Sequence, residues 1–175
     1  ALKSIERIAK PSAQIMEAKQ KILFQLGTQS FANANFEQAL QYLNQSIAIG
    51  QYNRQTKADA YYWCGESYYR LNRMMEAARD FNAYLQLTTQ PNNEMYALAN
   101  YNLGYIAFHR KDYTQASNYF QKYIQLEKGE NRTALADAYN RIGDCHLNVR
   151  NFEEAKHCGV QGLMRYALTA AGDIL

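Results

Sequence analysis

A spacing of small residues that recurs four times limits the possible folds of this chain more than any other feature. Glycines at positions 27, 65, 104 and 143 are separated by 38, 39 and 39 residues, and an alanine follows each glycine by twelve residues. An aromatic residue or methionine precedes each alanine by three positions, at 36, 74, 113 and 152. Because four such registers do not arise by chance, the pattern indicates four copies of one supersecondary unit.

The same spacing predicts that each copy contains two packed helices. A glycine inside a helix costs about 1 kcal/mol relative to alanine, so its recurrence in every copy needs a common reason. Close approach of two helix backbones supplies that reason. The facing small residues on the second helix are then expected to be Ala39, Ala77, Ala116 and Ala155. Since only two prolines interrupt 175 residues, the sequence predicts an all-α protein of antiparallel helix pairs.

This register resembles the tetratricopeptide repeat (TPR), in which a large residue, Leu-Gly, Tyr, Ala, an aromatic residue and a second Ala follow in order. The resemblance covers about residues 20–163 and implies a right-handed α-solenoid. The period departs from the family's about 34 residues, and we expect the extra residues to lengthen the helices or the links. The second small position of the family is occupied by Ser46, Tyr84, Tyr123 and, only in the last copy, Gly162.

The pattern divides the chain into four repeats with a partial element at each end. The repeats are expected over about 13–50, 54–90, 94–128 and 131–163. Residues 1–12 resemble the second helix of a truncated preceding repeat, and 164–175 the start of a further helix or a C-terminal cap. A solenoid needs polar end caps for solubility, and neither end has one. We therefore expect the chain to be a fragment of a longer repeat protein or to self-associate through its ends.

Charge and motifs argue against several classes of function. The 19 basic and 16 acidic residues give a net charge of +3, and no Lys/Arg run reaches three residues, so the basic stripe typical of nucleic-acid binders is missing. The sequence also lacks an apolar stretch long enough to span a membrane, a phosphate-binding glycine loop and a G-x-S-x-G nucleophile motif. We predict a protein that is not an enzyme, has no cofactor or metal, does not bind nucleic acid and does not insert directly into a membrane.

One alternative rests on cysteine and histidine residues in the fourth repeat. Cys145 and His146 are adjacent in sequence, but neighbours on a helix do not face each other. Cys145 and Cys158 could approach across the helix pair, which leaves a metal or redox site with His146 and His157 as a minor hypothesis. Cys64 precedes Gly65 at an apolar position and is expected to be a small core residue.

The TPR resemblance places the first helix of each pair along a concave binding face. Carried over position by position, it implies an aromatic groove with acidic edges, formed by Phe24, Tyr62, Glu66, Tyr69, Tyr101, Tyr105, Phe108, His109, Asn140 and Asp144. Asp59 and Asp137 fall at a further groove position. The Lys, Arg and Asn clamp with which co-chaperone members grip a terminal carboxylate is not matched. Packing between repeats is an equally good reading for Phe31, Tyr69, Phe108 and Leu147, which share one register position.

These observations favour a protein-interaction scaffold whose aromatic groove holds a protein or peptide segment. Tyrosine provides a large contact area at low entropy cost, which suits a binding surface. A structural spacer within a longer repeat protein, with no ligand of its own, is the main alternative. Long-period repeats of this type resemble those of bacterial cell-envelope proteins. That resemblance implies a periplasmic or envelope location, with the cytoplasm as the alternative.

Overall fold

The computed structural model describes the backbone of residues 10–91, 93–127 and 131–172, and side chains as far as residue 163. These residues form eight α-helices and no strand. In chain order the helices are α1 (Ala13–Ala32), α2 (Phe36–Ala48), α3 (Arg54–Arg70), α4 (Met74–Leu87), α5 (Glu94–His109), α6 (Tyr113–Leu126), α7 (Arg132–Asn148) and α8 (Phe152–Gly172). The predicted all-α fold is therefore observed over the described residues.

The helices form two compact units. Unit 1 comprises residues 1–91 and contains α1 to α4, and unit 2 comprises residues 92–175 and contains α5 to α8. Within each pair the helices are antiparallel: in unit 2 the Phe108 ring lies 5.5 Å from the Tyr113 ring, and Tyr101 lies 4.9 Å from Tyr123. In each unit the second helix of one pair also packs against the first helix of the next.

Side-chain caps explain where several helices begin. Ser12, Asn53, Asn93, Asp112 and Asn131 each accept a hydrogen bond from the backbone N–H three residues later. Each bond satisfies one of the N–H groups that the first turn of a helix leaves without a partner. The cap on α5 is the one that the Pro-Asn-Asn sequence predicts at Asn93. These five helix starts are thus encoded locally.

The turn inside each helix pair uses a left-handed residue. Ala34, Asn72, Lys111 and Arg150 have φ angles of 59°, 59°, 63° and 61°, and each lies in the three-residue link between the two helices of a pair. Only asparagine among these four residue types tolerates this conformation well. Three of the four turns therefore hold a strained backbone.

Lys111→Gly is expected to stabilise unit 2 by about 1 kcal/mol, because glycine adopts the left-handed conformation without the Cβ clash that lysine suffers. Urea unfolding followed by circular dichroism measures the change. Asn72→Gly, at the same position of another turn, serves as the control and should gain less. A Lys111→Gly protein no more stable than the unchanged chain would contradict the strain argument.

The conserved spacing of glycine and alanine has a different structural reason from the one predicted. A Cβ at Gly65 or Gly104 would lie 2.8 Å from a ring carbon of Phe81 or Phe120, and one at Gly27 would lie 2.6 Å from Leu43. The close partner is thus a large side chain four positions after the alanine. Ala39, Ala77 and Ala116, predicted as the facing small residues, are fully buried but are not the groups nearest to these glycines. Glycine is required because only hydrogen leaves room for a buried ring.

The fourth repeat departs from the other three. A Cβ at Gly143 would meet the Ala155 carbonyl oxygen at 3.4 Å and the Cys158 Cβ at 3.6 Å, which are ordinary contacts. Here the small residues do face each other as predicted, since Gly159 holds the register position that a large residue occupies in the other three repeats. Gly143 therefore lies in less crowded surroundings than Gly104.

The observed helices can be compared with the predicted boundaries of the repeats. Each of the four predicted repeat ranges contains one helix pair, but α8 continues without a break to Gly172. Residues 164–172 thus extend the second helix of repeat four, so no further helix starts at residue 164, and the alternative of a C-terminal cap stays a prediction. The helix expected over 1–12 lies mostly outside the described residues. Within the described part of the chain, no helix has both the length and the apolar character needed to cross a membrane.

Candidate functional site

A cluster of polar and aromatic side chains connects the first helices of repeats three and four in unit 2. Tyr101 and Tyr105 lie one turn apart on α5, and both hydroxyls donate to the same carboxylate oxygen of Asp137 on α7. The Tyr101 hydroxyl lies 2.7 Å from Asp137 Oδ2. Their rings are 5.2 Å apart in an edge-to-face arrangement. The tyrosines and the aspartate are partly exposed, so this polar junction faces solvent.

Arg141 extends the cluster along α7. Its Nη1 lies 2.9 Å from Asp144 Oδ2, and its Nε lies 3.7 Å from Asp137 Oδ1. The second distance is too long for a hydrogen bond, and the buried Nε has no hydrogen-bond partner among the described residues. The guanidinium also lies 5.7 Å above the Phe108 ring, a cation–π contact. Arg141 is therefore positioned by two aspartates and one aromatic ring. We call these six residues, Tyr101, Tyr105, Phe108, Asp137, Arg141 and Asp144, the unit 2 cluster.

Burial and the Asp137 carboxylate together keep the two tyrosines protonated. Burial and, next, the hydrogen bond to Asp137 raise the pKa of Tyr105 to about 12, while Tyr101 and Arg141 act in the opposite direction. Burial, followed by the hydrogen bond to Asp137, also raises the pKa of Tyr101 above its ordinary value. Both hydroxyls consequently remain hydrogen-bond donors at neutral pH. The cluster keeps two negative charges and one positive charge, so its net charge is negative.

The predicted groove residues of unit 2 that lie outside the cluster are placed differently from one another. His109 is exposed, with its ring 6.5 Å from Tyr105, and lies beside the cluster. Asn140 is exposed too, but its side-chain oxygen lies against Gly162 on α8, where a Cβ would overlap it. Asn140 therefore points towards the second helix of its own repeat.

The predicted groove residues of unit 1 differ from one another in burial. Tyr62 is buried, with its ring 5.8 Å from Phe81 and 5.4 Å from Tyr84. It belongs to the core, so it cannot offer the exposed groove surface expected of it. Phe24, Glu66 and Tyr69 are each partly exposed. Burial raises the pKa of Tyr69, and the nearby Glu66 carboxylate adds to the effect.

Sequence reasoning missed two contributors to these surfaces. Arg141 is spaced four residues after Asp137 and three before Asp144, which places the three on one side of a helix, and this spacing could have identified it. Trp63 lies between neighbouring repeats of unit 1, 4.9 Å from Phe31 and 5.4 Å from Tyr62. Trp63 and Arg141 both stand two residues before a repeat glycine. That shared register position covers the aromatic residue of the preceding repeat.

The cysteines do not support the metal or redox alternative. Cys64, Cys145 and Cys158 are free and buried. Burial raises the pKa of the Cys145 thiol to about 11 and also raises the pKa values of Cys64 and Cys158. A protonated thiol is a poor nucleophile and a poor metal ligand. Over the described residues, no group of three His, Cys, Asp or Glu side chains is arranged to hold a metal ion.

Two models of known protein families match this chain, and both have the same description. A family model described as tetratricopeptide repeat matches residues 97–129 and 136–158, and a second model with the same description matches 24–94. Together the matched ranges span well over half of the chain. No curated protein matches it in sequence.

Solved structures share the fold at low sequence identity. The crystal structure of MamA is 20% identical with a TM-score of 0.72, covering 90% of this chain and 86% of that one. BtubC from P. vanneervenii is 14% identical with a TM-score of 0.73, covering 97% and 70%. YrrB, described as a TPR protein with an unusual peptide-binding site, is 15% identical with a TM-score of 0.65, covering 93% and 78%. The predicted all-α, solenoid-type fold is thereby confirmed.

Proposed function

Because this chain belongs to the tetratricopeptide repeat family, we propose that it is a protein-interaction scaffold whose partner contacts the first helices of the repeats, centred on the unit 2 cluster. Repeats of this family typically act as non-catalytic scaffolds. Fold alone does not assign a ligand, so the proposal depends on the chemistry of the exposed residues. His109 and the cluster side chains are the residues expected to contact the partner.

The observation that carries the proposal is the convergence of Tyr101 and Tyr105 on Asp137. The two rings are held in place by hydrogen bonds at their outer ends and by Phe120 at their inner faces, 5.8 Å and 5.3 Å away. A partner that binds here does not have to immobilise flexible aromatic side chains. Such preorganisation lowers the entropy cost of association. Tyrosine and arginine are also the residues most enriched in binding hot spots.

The charge of the surface indicates the chemistry of the partner. Within the unit 2 cluster, Asp137 and Asp144 outnumber the single Arg141. We infer a partner segment, extended or helical, that combines basic and apolar side chains. Its cations would be attracted to the carboxylates, and its apolar side chains would cover the tyrosine rings. YrrB provides a precedent for peptide binding in a protein of similar fold.

Binding of synthetic 12-residue peptides of defined composition tests this function. Peptides of alternating lysine and leucine are expected to bind more tightly than glutamate–leucine peptides, and added salt should weaken that binding because it screens the charges. Asp144→Lys is expected to weaken binding of the lysine–leucine peptide about tenfold, as it reverses a charge in the surface. Fluorescence anisotropy with labelled peptides measures both effects.

Glu153→Lys, an equal charge reversal at an exposed position on α8, is the matched control and should leave peptide binding nearly unchanged. An equal loss of peptide binding in the two variants would mean that the lysines of the peptide respond only to the overall charge of the protein. Equal binding of the two peptide classes would remove the charge argument. Either result would contradict the proposed surface.

A structural spacer is the second candidate, and one observation favours it. Phe31 is covered by Trp63 and Phe108 by Arg141, whereas Leu147, at the same register position of repeat four, is 50% exposed. Val149, Phe152 and Leu163 are 51%, 64% and 70% exposed. Exposed apolar residues grouped in one repeat are typical of a surface that contacts another. Self-association without any peptide binding, measured by sedimentation velocity, would favour this reading.

A further inference from the structure

Unit 2 also contains a cleft that has no role in the proposed binding surface. It lies between α6 and α7, is half open to solvent and has a volume of about 160 Å³; its lining residues are Tyr113, Thr114, Ser117, Asn118, Gln121, Cys145, His146 and Val149. None of these residues belongs to the unit 2 cluster. Cys145 and His146 lie in the last turn of α7, C-terminal to Asp137 and Arg141, and Val149 follows the end of that helix. We call this space the α6–α7 cleft.

Two substitutions between equivalent repeat positions explain why the cleft is open. Ser117 follows the repeat alanine by one residue, and the same position in repeat one holds Leu40. His146 follows the repeat glycine by three residues, and the same position in repeat two holds Tyr68. Leu40 and Tyr68 are both buried in unit 1, where α2 packs against α3 as α6 packs against α7. Unit 2 thus has serine and histidine where unit 1 has a leucine and a phenol ring.

We propose that the α6–α7 cleft binds a phenol ring, supplied either by a tyrosine side chain of a partner or by a small free phenol. Its volume fits one six-membered ring, since a protein cavity of about 150 Å³ accepts benzene. The occupant would supply in unit 2 the ring and the apolar bulk that Tyr68 and Leu40 supply at the equivalent register positions of unit 1. This inference does not depend on the proposed function of the unit 2 cluster.

The lining of the cleft matches a ring with a hydroxyl group better than a plain hydrocarbon. Ser117 and Cys145 are buried and form the floor, while Thr114, Asn118 and Gln121 are exposed and form the rim. The rim offers one hydroxyl and two amide groups, each of which can donate or accept a hydrogen bond. The ring of Tyr113 and the exposed side chain of Val149 provide apolar walls. A phenol can place its ring against the walls and its hydroxyl at the rim.

Titration of the ¹⁵N-labelled chain with p-cresol, the side-chain analogue of tyrosine, tests the site. We expect shifts of the backbone amides of Ser117, Cys145 and Val149, with a dissociation constant in the millimolar range, as suits a ligand of about eight non-hydrogen atoms. Toluene should bind several-fold more weakly, because it cannot hydrogen-bond to the rim. Absence of shifts with p-cresol, or equal binding of toluene, would overturn the proposal.

The two sources of the ring are distinguished by a second ligand. N-acetyl-tyrosinamide carries the ring on a peptide-like backbone. Binding at least as tight as that of p-cresol assigns the cleft to a tyrosine side chain, and binding of p-cresol alone assigns it to a free phenol. Binding of neither overturns both assignments. A lysine–leucine peptide should leave the cleft amides unshifted, which separates this site from the unit 2 cluster.

The matched variant fills the cleft with the side chains of unit 1. Ser117→Leu combined with His146→Tyr should abolish the p-cresol shifts while leaving the helical circular-dichroism spectrum and the melting temperature equal to, or above, those of the unchanged chain. If the double variant fails to fold, Ser117→Leu alone serves, and it should weaken p-cresol binding at least several-fold. Undiminished binding by a folded filled variant would place the ligand elsewhere and overturn the proposal.

Discussion

Replacing Gly104 with alanine is expected to destabilise unit 2 by about 2 kcal/mol, whereas the same change at Gly143 should stabilise it by up to about 1 kcal/mol. At Gly104 the new methyl group would lie 2.8 to 2.9 Å from three ring carbons of Phe120, a fully buried side chain. Overpacking of this kind costs about 1 to 3 kcal/mol, more than the helix propensity of alanine returns. At Gly143 the nearest atom would be 3.4 Å away, so the propensity gain remains.

The opposite signs make the pair of variants a sharp test. Urea unfolding followed by circular dichroism gives the free-energy changes, and amide hydrogen exchange of α5 and α6 shows whether the loss is local to the Gly104 contact. Gly159→Ala is a second control, because no atom outside its own helix lies within 4 Å of a Cβ there. A Gly104→Ala protein as stable as Gly143→Ala would mean that the Phe120 ring moves aside freely.

Asp137→Ala is expected to cost about 3 kcal/mol of stability, the largest effect predicted for any single residue of the unit 2 cluster. The carboxylate accepts hydrogen bonds from Tyr101 and Tyr105 and lies beside Arg141. Hydrogen bonds to a charged group contribute about 1.5 to 3 kcal/mol each, and partial exposure places these near the lower end. Asp144→Ala removes only one partly exposed ion pair with Arg141 and should cost less than about 1 kcal/mol.

The same variant should change how stability depends on alkaline pH. The folded-state pKa of Tyr105, about 12, lies above the ordinary tyrosine value of about 10, so the folded state retains the proton that the unfolded state releases. The resulting stability is complete below pH about 10 and is lost as the pH rises through the folded-state pKa. Asp137→Ala removes a carboxylate that raises this pKa, so Tyr105 should ionise at lower pH.

Ultraviolet titration of tyrosinate absorbance measures this shift, with Tyr105→Phe used to assign the signal. Asp144→Ala should leave the pH at which the late-titrating tyrosines ionise nearly unchanged, because Asp144 does not contact them. Tyrosines that titrate alike in the unchanged chain and in Asp137→Ala would contradict the role assigned to this carboxylate. Unfolding measured at neutral and alkaline pH completes the comparison.

Local signals were sufficient to predict the helices. The glycine and alanine register identified four helix pairs. Asn93, the polar residue before Glu94, identified the start of α5. Both were predictable because helix starts and turns depend on groups a few residues apart. The same register also predicted that glycine is needed inside each first helix. Which side chain packs against the glycine was not predictable, since Gly104 and Phe120 come into contact only when the two helices pack.

The candidate surface was only partly predictable for the same reason. Tyr101, Tyr105 and Asp137 were each placed at groove positions by the TPR resemblance, but their convergence on one carboxylate oxygen depends on how α5 packs against α7. Tyr62, at the register position of Tyr101, is instead buried against Phe81 and Tyr84. The sequence determined the repeat, its helices and the set of aromatic residues, because these are encoded within single repeats. Only the tertiary structure decided which rings reach the surface, since burial is set by side chains that other helices supply.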